Sequence, residues 1–222
     1  IVDDEEELVS ALVERLNLRG FEASVDDGQW QLLWRSGAGV ENWSNPDYIG
    51  WDEPLVSPCS INQTIPDRVI LTISGNIGDT TTDPQVWADE IDKAVTTSTM
   101  KYPSLRQIIL QTVVGGPNGD ICVSKTGEDV RASVNYPIID QASDLVANNH
   151  SANIELLKGI SPTVTDCSGF NDNQGHLTSD DSGIVGRIIG EYYRINHPGN
   201  FMCTQVIGFS QTNQWFSAEG TL

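Results

Sequence analysis

A serine hydroxyl becomes a useful nucleophile only when a neighbouring base takes its proton, and imidazole is the side chain suited to that near neutral pH. The chain carries such a serine in Gly208-Phe209-Ser210, directly after the apolar pair Val206-Ile207. It carries such an imidazole in D-N-Q-G-H-L-T, where Asp172 stands four positions before His176 and can orient the ring. An oxyanion formed by attack needs donors fixed in advance. The Ser210 amide, the Asn76 side chain and a glycine amide from S-G-A-G can supply them; the spacing allows either Gly39 or Gly37. Together these residue types spell acyl transfer.

Such residues work only if the fold brings them to one place, and in open α/β sheets that place is the carboxyl end of the strands. Continuous apolar runs at 68–74 and 107–114 predict strands buried on both faces. Shorter strands are expected at 21–25, 30–34, 154–157 and around Val206-Ile207. Helices are predicted at 84–97, at 130–147 with a kink or break at Pro137, and at 179–193 with Asp180 and Asp181 as helix-end charges. Near the start, Leu8, Val9, Leu12, Val13 and Leu16 recur at helical spacing behind an acidic opening, with Gly20 just past the end. Residues 36–66 read as one long Gly- and Pro-rich loop. Strands alternating with helices give a parallel sheet covered on both sides, in one domain spanning 1–222. Ser210, Gly37 and Gly39, and Asn76 each follow a strand, and His176 precedes the last long helix.

Composition narrows the partners. A formal charge of −19 over 222 residues repels phosphate, which argues against nucleic acid and anionic membranes. No apolar run is long enough to span a bilayer. Cys59, Cys122, Cys167 and Cys203 lie far apart without metal-finger spacing, so no zinc or other metal is expected, and an even count suits two disulfides in an oxidising compartment. Sequons at Asn42, Asn62 and Asn149 agree with a secreted glycoprotein. His150 and His197 have no chemical context and read as surface residues.

Four blocks of this chain resemble those of the SGNH, or GDSL-like, hydrolase superfamily. G-F-S-Q-T-N-Q-W is similar to the serine block, W-R-S-G-A-G-V-E-N to the glycine block, I-S-G-N-I-G-D to the asparagine block and D-N-Q-G-H-L-T to the histidine block. In that family the serine block comes first, whereas here it comes last. Reading from Leu222 on to Ile1 restores the family's sequence of serine block, loop and helix, so the resemblance implies a circularly permuted order, arising either by permutation or as one unit of a tandem array. It also implies a three-layer α/β/α fold with a five-stranded parallel, flavodoxin-like sheet. The roles that follow are Ser210 as nucleophile, His176 as general base, Asp172 as its partner, and Gly39 with Asn76 in the oxyanion hole, with no cofactor. Three positions depart from the family: Phe209 and Ile77 stand where it commonly has Asp, and Asn173 occupies the usual place of the acid, three before the histidine. The G-x-S-x-G elbow of α/β-hydrolases fits less well, because Thr212 takes the second glycine position.

The expectation is therefore a secreted serine esterase acting through an acyl-enzyme on a small-molecule or carbohydrate ester. Trp34, Trp43, Trp51 and Trp215 near the site loops would suit stacking on sugar rings, which points to O-acetyl groups on carbohydrate; core packing is the competing use of those rings. The alternative reading is an inactive carbohydrate-binding or assembly module with the same fold, favoured by Phe209, Ile77 and Asn173. Of the three possible cysteine pairings, Cys122 with Cys167 and Cys59 with Cys203 is the one chosen, since Cys122 and Cys167 both follow late strands on the site side.

Overall fold

The structure is a computed structural model, and it describes residues 30–54, 66–75, 77, 83–150, 153–197, 201 and 203–217. The helix and strand expected within the first 29 residues, and Cys59 and Asn76, lie outside these. The described strands are β1 (Trp30–Trp34), β2 (Arg68–Thr72), β3 (Gln107–Gln111), β4 (Glu155–Lys158) and β5 (Thr204–Gly208). They form one sheet in the order β1-β5-β2-β3-β4, and every pairing is parallel. Counting the strands cyclically from β5 turns this into the 2-1-3-4-5 order of flavodoxin-like sheets. The chain's last strand thus sits second from the edge, between β1 and β2, with Val206 opposite both Leu32 and Ile70.

Burial explains why these segments are strands. All five residues of β3 and of β5 are buried, and in β2 only Arg68 is partly exposed, as a parallel sheet covered on both faces requires. The edge strand β4 is more open. The helices are α1 (Val40–Trp43), α2 (Pro84–Lys101), α3 (Arg131–Asn149), α4 (Ser179–Asn196) and α5 (Ser210–Ser217). Helices α2 and α3 pack on each other, as do α4 and α5, giving the three-layer α/β/α arrangement. No helix among the described residues is long and apolar enough to cross a membrane.

Local chemistry sets the helix ends. Asp83 accepts the Gln85 N–H and Pro84 opens α2, while Thr178 accepts the Asp181 N–H at the start of α4. Asp180 and Asp181 fill the first turn of α4, where the helix dipole favours acids. Pro137 lies inside α3, which runs as one helix past it, and the proline is on the exposed side. The stretch expected as a plain loop after β1 instead contains α1 and a 3-10 turn at Ile49–Asp52. Trp43 is the reason: its ring meets Tyr48 and Trp51 edge-on, and Trp51 in turn meets Tyr102.

Candidate active site

Strand β5 ends at Gly208, one residue separates it from Ser210, and Ser210 opens α5. This tight strand-to-helix turn is wired from within. The Thr72 hydroxyl donates to the Ile207 carbonyl at 2.7 Å, so its one proton is used. Thr212 Oγ1, 2.6 Å away, must therefore donate to Thr72, and it accepts the Phe209 N–H at 3.0 Å. The chain of bonds runs in one direction, from the Phe209 N–H through both threonine hydroxyls to the Ile207 carbonyl. It also dictates Gly208, because a Cβ there would lie 1.9 Å from Thr72 Oγ1 and 2.1 Å from Thr212 Oγ1. Phe209 packs edge-on against buried Trp215, so the residue that departs from the family pattern is a core side chain.

The histidine arrives on the loop after β4. An antiparallel bridge between Phe170 and Leu177, both buried, closes this loop at its base. Within it Asp172 Oδ1 accepts three backbone N–H groups, from Gln174, Gly175 and His176, at 3.0, 3.0 and 3.1 Å. The second carboxylate oxygen, Oδ2, meets His176 Nδ1 at 2.7 Å. Gly175 adopts φ +98°, a conformation that tightens the turn and that side-chain residues resist; a Cβ there would also strike Ala132 at 2.4 Å. This turn absorbs the additional residue between acid and histidine. Asn173 faces elsewhere: its amide donates to Glu128 at 2.6 Å and its carbonyl accepts the Arg131 N–H.

The two elements meet at His176 Nε2, which lies 2.8 Å from Ser210 Oγ. Ser210, His176 and Asp172 thus form one continuous chain of hydrogen bonds. Burial, the largest influence on Asp172, raises its pKa, but hydrogen bonds from the His176 ring and from backbone N–H groups outweigh it and hold the carboxyl below its ordinary value. The carboxylate is then ionised at neutral pH and fixes Nδ1 as the protonated nitrogen, leaving Nε2 free to accept from serine.

A cavity of about 330 Å³ opens over this chain, with Ser210, His176, Gly37, Gly39 and Arg131 on its walls. Ser210 is the first residue of α5, so its N–H has no partner within the helix and faces the positive end of the dipole. Gly39 reaches the cavity wall, but its N–H donates to Asn42 Oδ1 at 2.9 Å, where it caps α1. In this structure the Gly39 N–H is thus engaged within its own loop. Gly37, the other glycine the spacing allowed, lines the same wall and its N–H has no such bond among the described residues.

Other expectations also shift. Trp43, Trp51 and Trp215 are at most 7% exposed and belong to the core, so they cannot stack on a sugar; Trp34, 40% exposed at the end of β1, is the exception. Cys122 and Cys167 form a disulfide that ties the loop after β3 to the histidine loop. Cys203 is also disulfide-bonded. His150 is not a free surface residue: its side chain is 10% exposed and its Nδ1 bonds Asp92. His197 is half-buried beside Tyr192 and Tyr193, and burial first, then Arg68, lowers its pKa. No cluster of three or more His, Cys, Asp or Glu placed to hold a metal occurs among the described residues. Sequence reasoning missed Thr72, Arg131, Gln174, Gln211 and Gln214, since threonines and glutamines beside a serine carry no signal of their own.

A scan of protein-family models, curated proteins and solved structures finds no match to this chain.

Proposed function

We propose that the protein is a serine hydrolase that cleaves esters through an acyl-enzyme, with the SGNH-like assignment of its blocks. The observation that carries this reading is the unbroken chain Asp172 Oδ2–His176 Nδ1 and His176 Nε2–Ser210 Oγ, at 2.7 and 2.8 Å, at the wall of an open cavity. A serine at a strand-end turn is common; one whose hydroxyl meets an imidazole backed by an ionised carboxylate is what nucleophilic catalysis needs.

In the reaction Ser210 Oγ attacks the ester carbonyl as His176 Nε2 takes its proton. The oxyanion is held by the Ser210 N–H and the glycine wall, with the Asn76 side chain as the third donor expected from the sequence. On collapse the C–O bond to the alcohol breaks, and His176 returns the proton to the leaving oxygen. Water, deprotonated by the same ring, then attacks the acyl-serine and releases the acid and free Ser210. Asp172 stays ionised and stabilises the imidazolium in both halves.

The inactive-module alternative rested on Phe209, Ile77 and Asn173. Two of these have structural uses that leave the site intact: Phe209 packs in the core and Asn173 braces Glu128. Ile77 packs partly buried against the core. Carbohydrate remains a substrate candidate on Trp34 alone, and secretion is supported by the disulfides. The test is hydrolysis of p-nitrophenyl acetate, where Ser210→Ala is expected to lose at least ~10³-fold in kcat. Equal rates from both proteins would remove the esterase reading and return the binding module.

A further inference from the structure

Nothing covalent joins the serine to the histidine; they sit on separate elements, α5 and the loop after β4, 34 residues apart in the chain. A hydrogen bond of 2.8 Å between them requires that these elements keep their relative position to within a fraction of an ångström. Two glutamines on α5 do this from either side of His176. Gln211 Nε2 donates to the Gln174 carbonyl at 2.5 Å, two residues before the histidine. Gln214 Oε1 accepts the Leu177 N–H at 3.0 Å, one residue after it. Gln211 and Gln214 are three apart on the helix, so both project from one face, the face that carries the loop.

We propose that Gln211 and Gln214 are positioning residues that set the Ser210–His176 register by clamping the histidine loop onto the nucleophile's helix. This inference rests on the hydrolase reading above and adds residues that act through His176 without touching the reacting atoms. Its chemistry is directional. Gln211 is needed as a donor, because a carbonyl oxygen is what it meets. Gln214 is needed as an acceptor, because an N–H is what it meets. Burial differs between the two sites, so the comparison that separates a clamp from packing is made at Gln214 alone, between a replacement that keeps the acceptor and one that removes it.

Glutamate keeps the acceptor and loses the donor, which makes it the discriminating substitution. Gln214→Glu should retain most of the wild-type kcat for p-nitrophenyl acetate, and Gln214→Leu should lose on the order of 10²-fold with KM little changed. At the other site Gln211→Glu should fail as badly as Gln211→Leu. Gln211 is only 4% exposed, so those variants are compared at matched folded fraction, and the partly exposed Gln214 pair carries the test if they do not fold. Amide hydrogen exchange at Leu177 is read in the same proteins: protection lost in Gln214→Leu and kept in Gln214→Glu supports the clamp whether or not this ester is turned over. Equal protection in all three, or equal kcat loss for Glu and Leu at position 214, overturns it. Wild type and Ser210→Ala hydrolysing alike would instead remove the esterase reading and leave the exchange result to judge the clamp.

Discussion

Among the described residues are two aspartate–histidine pairs, and one of them has the makings of chemistry. His176 meets Asp172 through Nδ1, and so does His150 meet Asp92. By burial of the ring the second pair is the stronger candidate, 10% exposed against 22% for His176, although its acid Asp92 is more exposed than Asp172. By space it is stronger too, since a cavity of about 500 Å³ lies beside it between α2 and α3, against about 330 Å³ at the first. Yet the residues lining the larger cavity include Asp89, Lys93, Leu145 and Asn149 and no hydroxyl or thiol. Among the described residues no backbone N–H donates to Asp92, which lies in the middle of α2, while His150 follows the carboxyl end of α3, so no helix N-terminus meets this pair. Neither pairing nor cavity size makes a site. A third group on the free imidazole nitrogen does, together with a location where strand ends and a helix N-terminus converge.

The largest effect that can break this contrast comes from removing each ring. His176→Ala should lower kcat for p-nitrophenyl acetate by about 10⁵-fold or more, because the base acts in both half-reactions. His150→Ala should leave kcat within about twofold and act on stability alone. Comparable losses from both would mean that the second pair takes part and that the comparison above is misdrawn.

Next in size is the carboxylate. In Asp172→Asn one amide oxygen can still accept the three backbone N–H groups, which turns the NH₂ toward His176 Nδ1. The ring must then carry its proton on Nε2, the nitrogen that should accept from Ser210, and about 10⁴-fold in kcat is the expected loss. Asp92→Asn changes no nitrogen that faces a nucleophile, so its kinetics should match wild type within error. Steady-state rates on one ester, with folding checked by circular dichroism, measure both.

How much of this was visible in the chain depends on the range of the interaction. The buried strands declared themselves, because β2, β3 and β5 are covered on both faces and so must be apolar throughout. Ser210 was legible for a related reason: a polar residue straight after such a run is held at the sheet's carboxyl end, whereas His176, well past the end of β4, was legible from the acid beside it and the helix that follows. Helix α1 was not, since four residues are too few for a period, and it is held by packing on α2, distant in sequence, and by the Trp43 contacts with Tyr48 and Trp51. Of the four tryptophans offered for sugar stacking, Trp43, Trp51 and Trp215 take the competing use in the core, because large apolar surfaces serve the core before they serve a ligand. Asp172 needed Gly175 at positive φ to reach the ring, a backbone fact that residue spacing does not encode. His150 found its partner 58 residues away, and the Gln211 and Gln214 bonds join elements that only the fold brings together.

The smallest expected effect sharpens the contrast through the acid itself. Asp172 has a pKa below its ordinary value of 3.8 in the folded protein: burial raises it, while the His176 ring and the backbone N–H groups lower it by more. A carboxyl with a lowered folded pKa adds stability above its unfolded value and loses that contribution as pH falls through the folded one. The stability gap between wild type and Asp172→Asn should therefore shift against wild type as pH falls below about 4. The shift is small, because two-fifths of the side chain is in water that screens it. His176→Ala separates the two sources of the effect: the amides of Gln174 and Gly175 still point at Oδ1, so part of the acid sensitivity should survive without the ring. Urea unfolding of the three proteins at pH 6, 4 and 3 reads it. Complete loss in His176→Ala would mean that the imidazole alone holds the carboxylate, and that the loop's three-amide cradle, which the Asp92 pair lacks, is not what sets the two pairs apart.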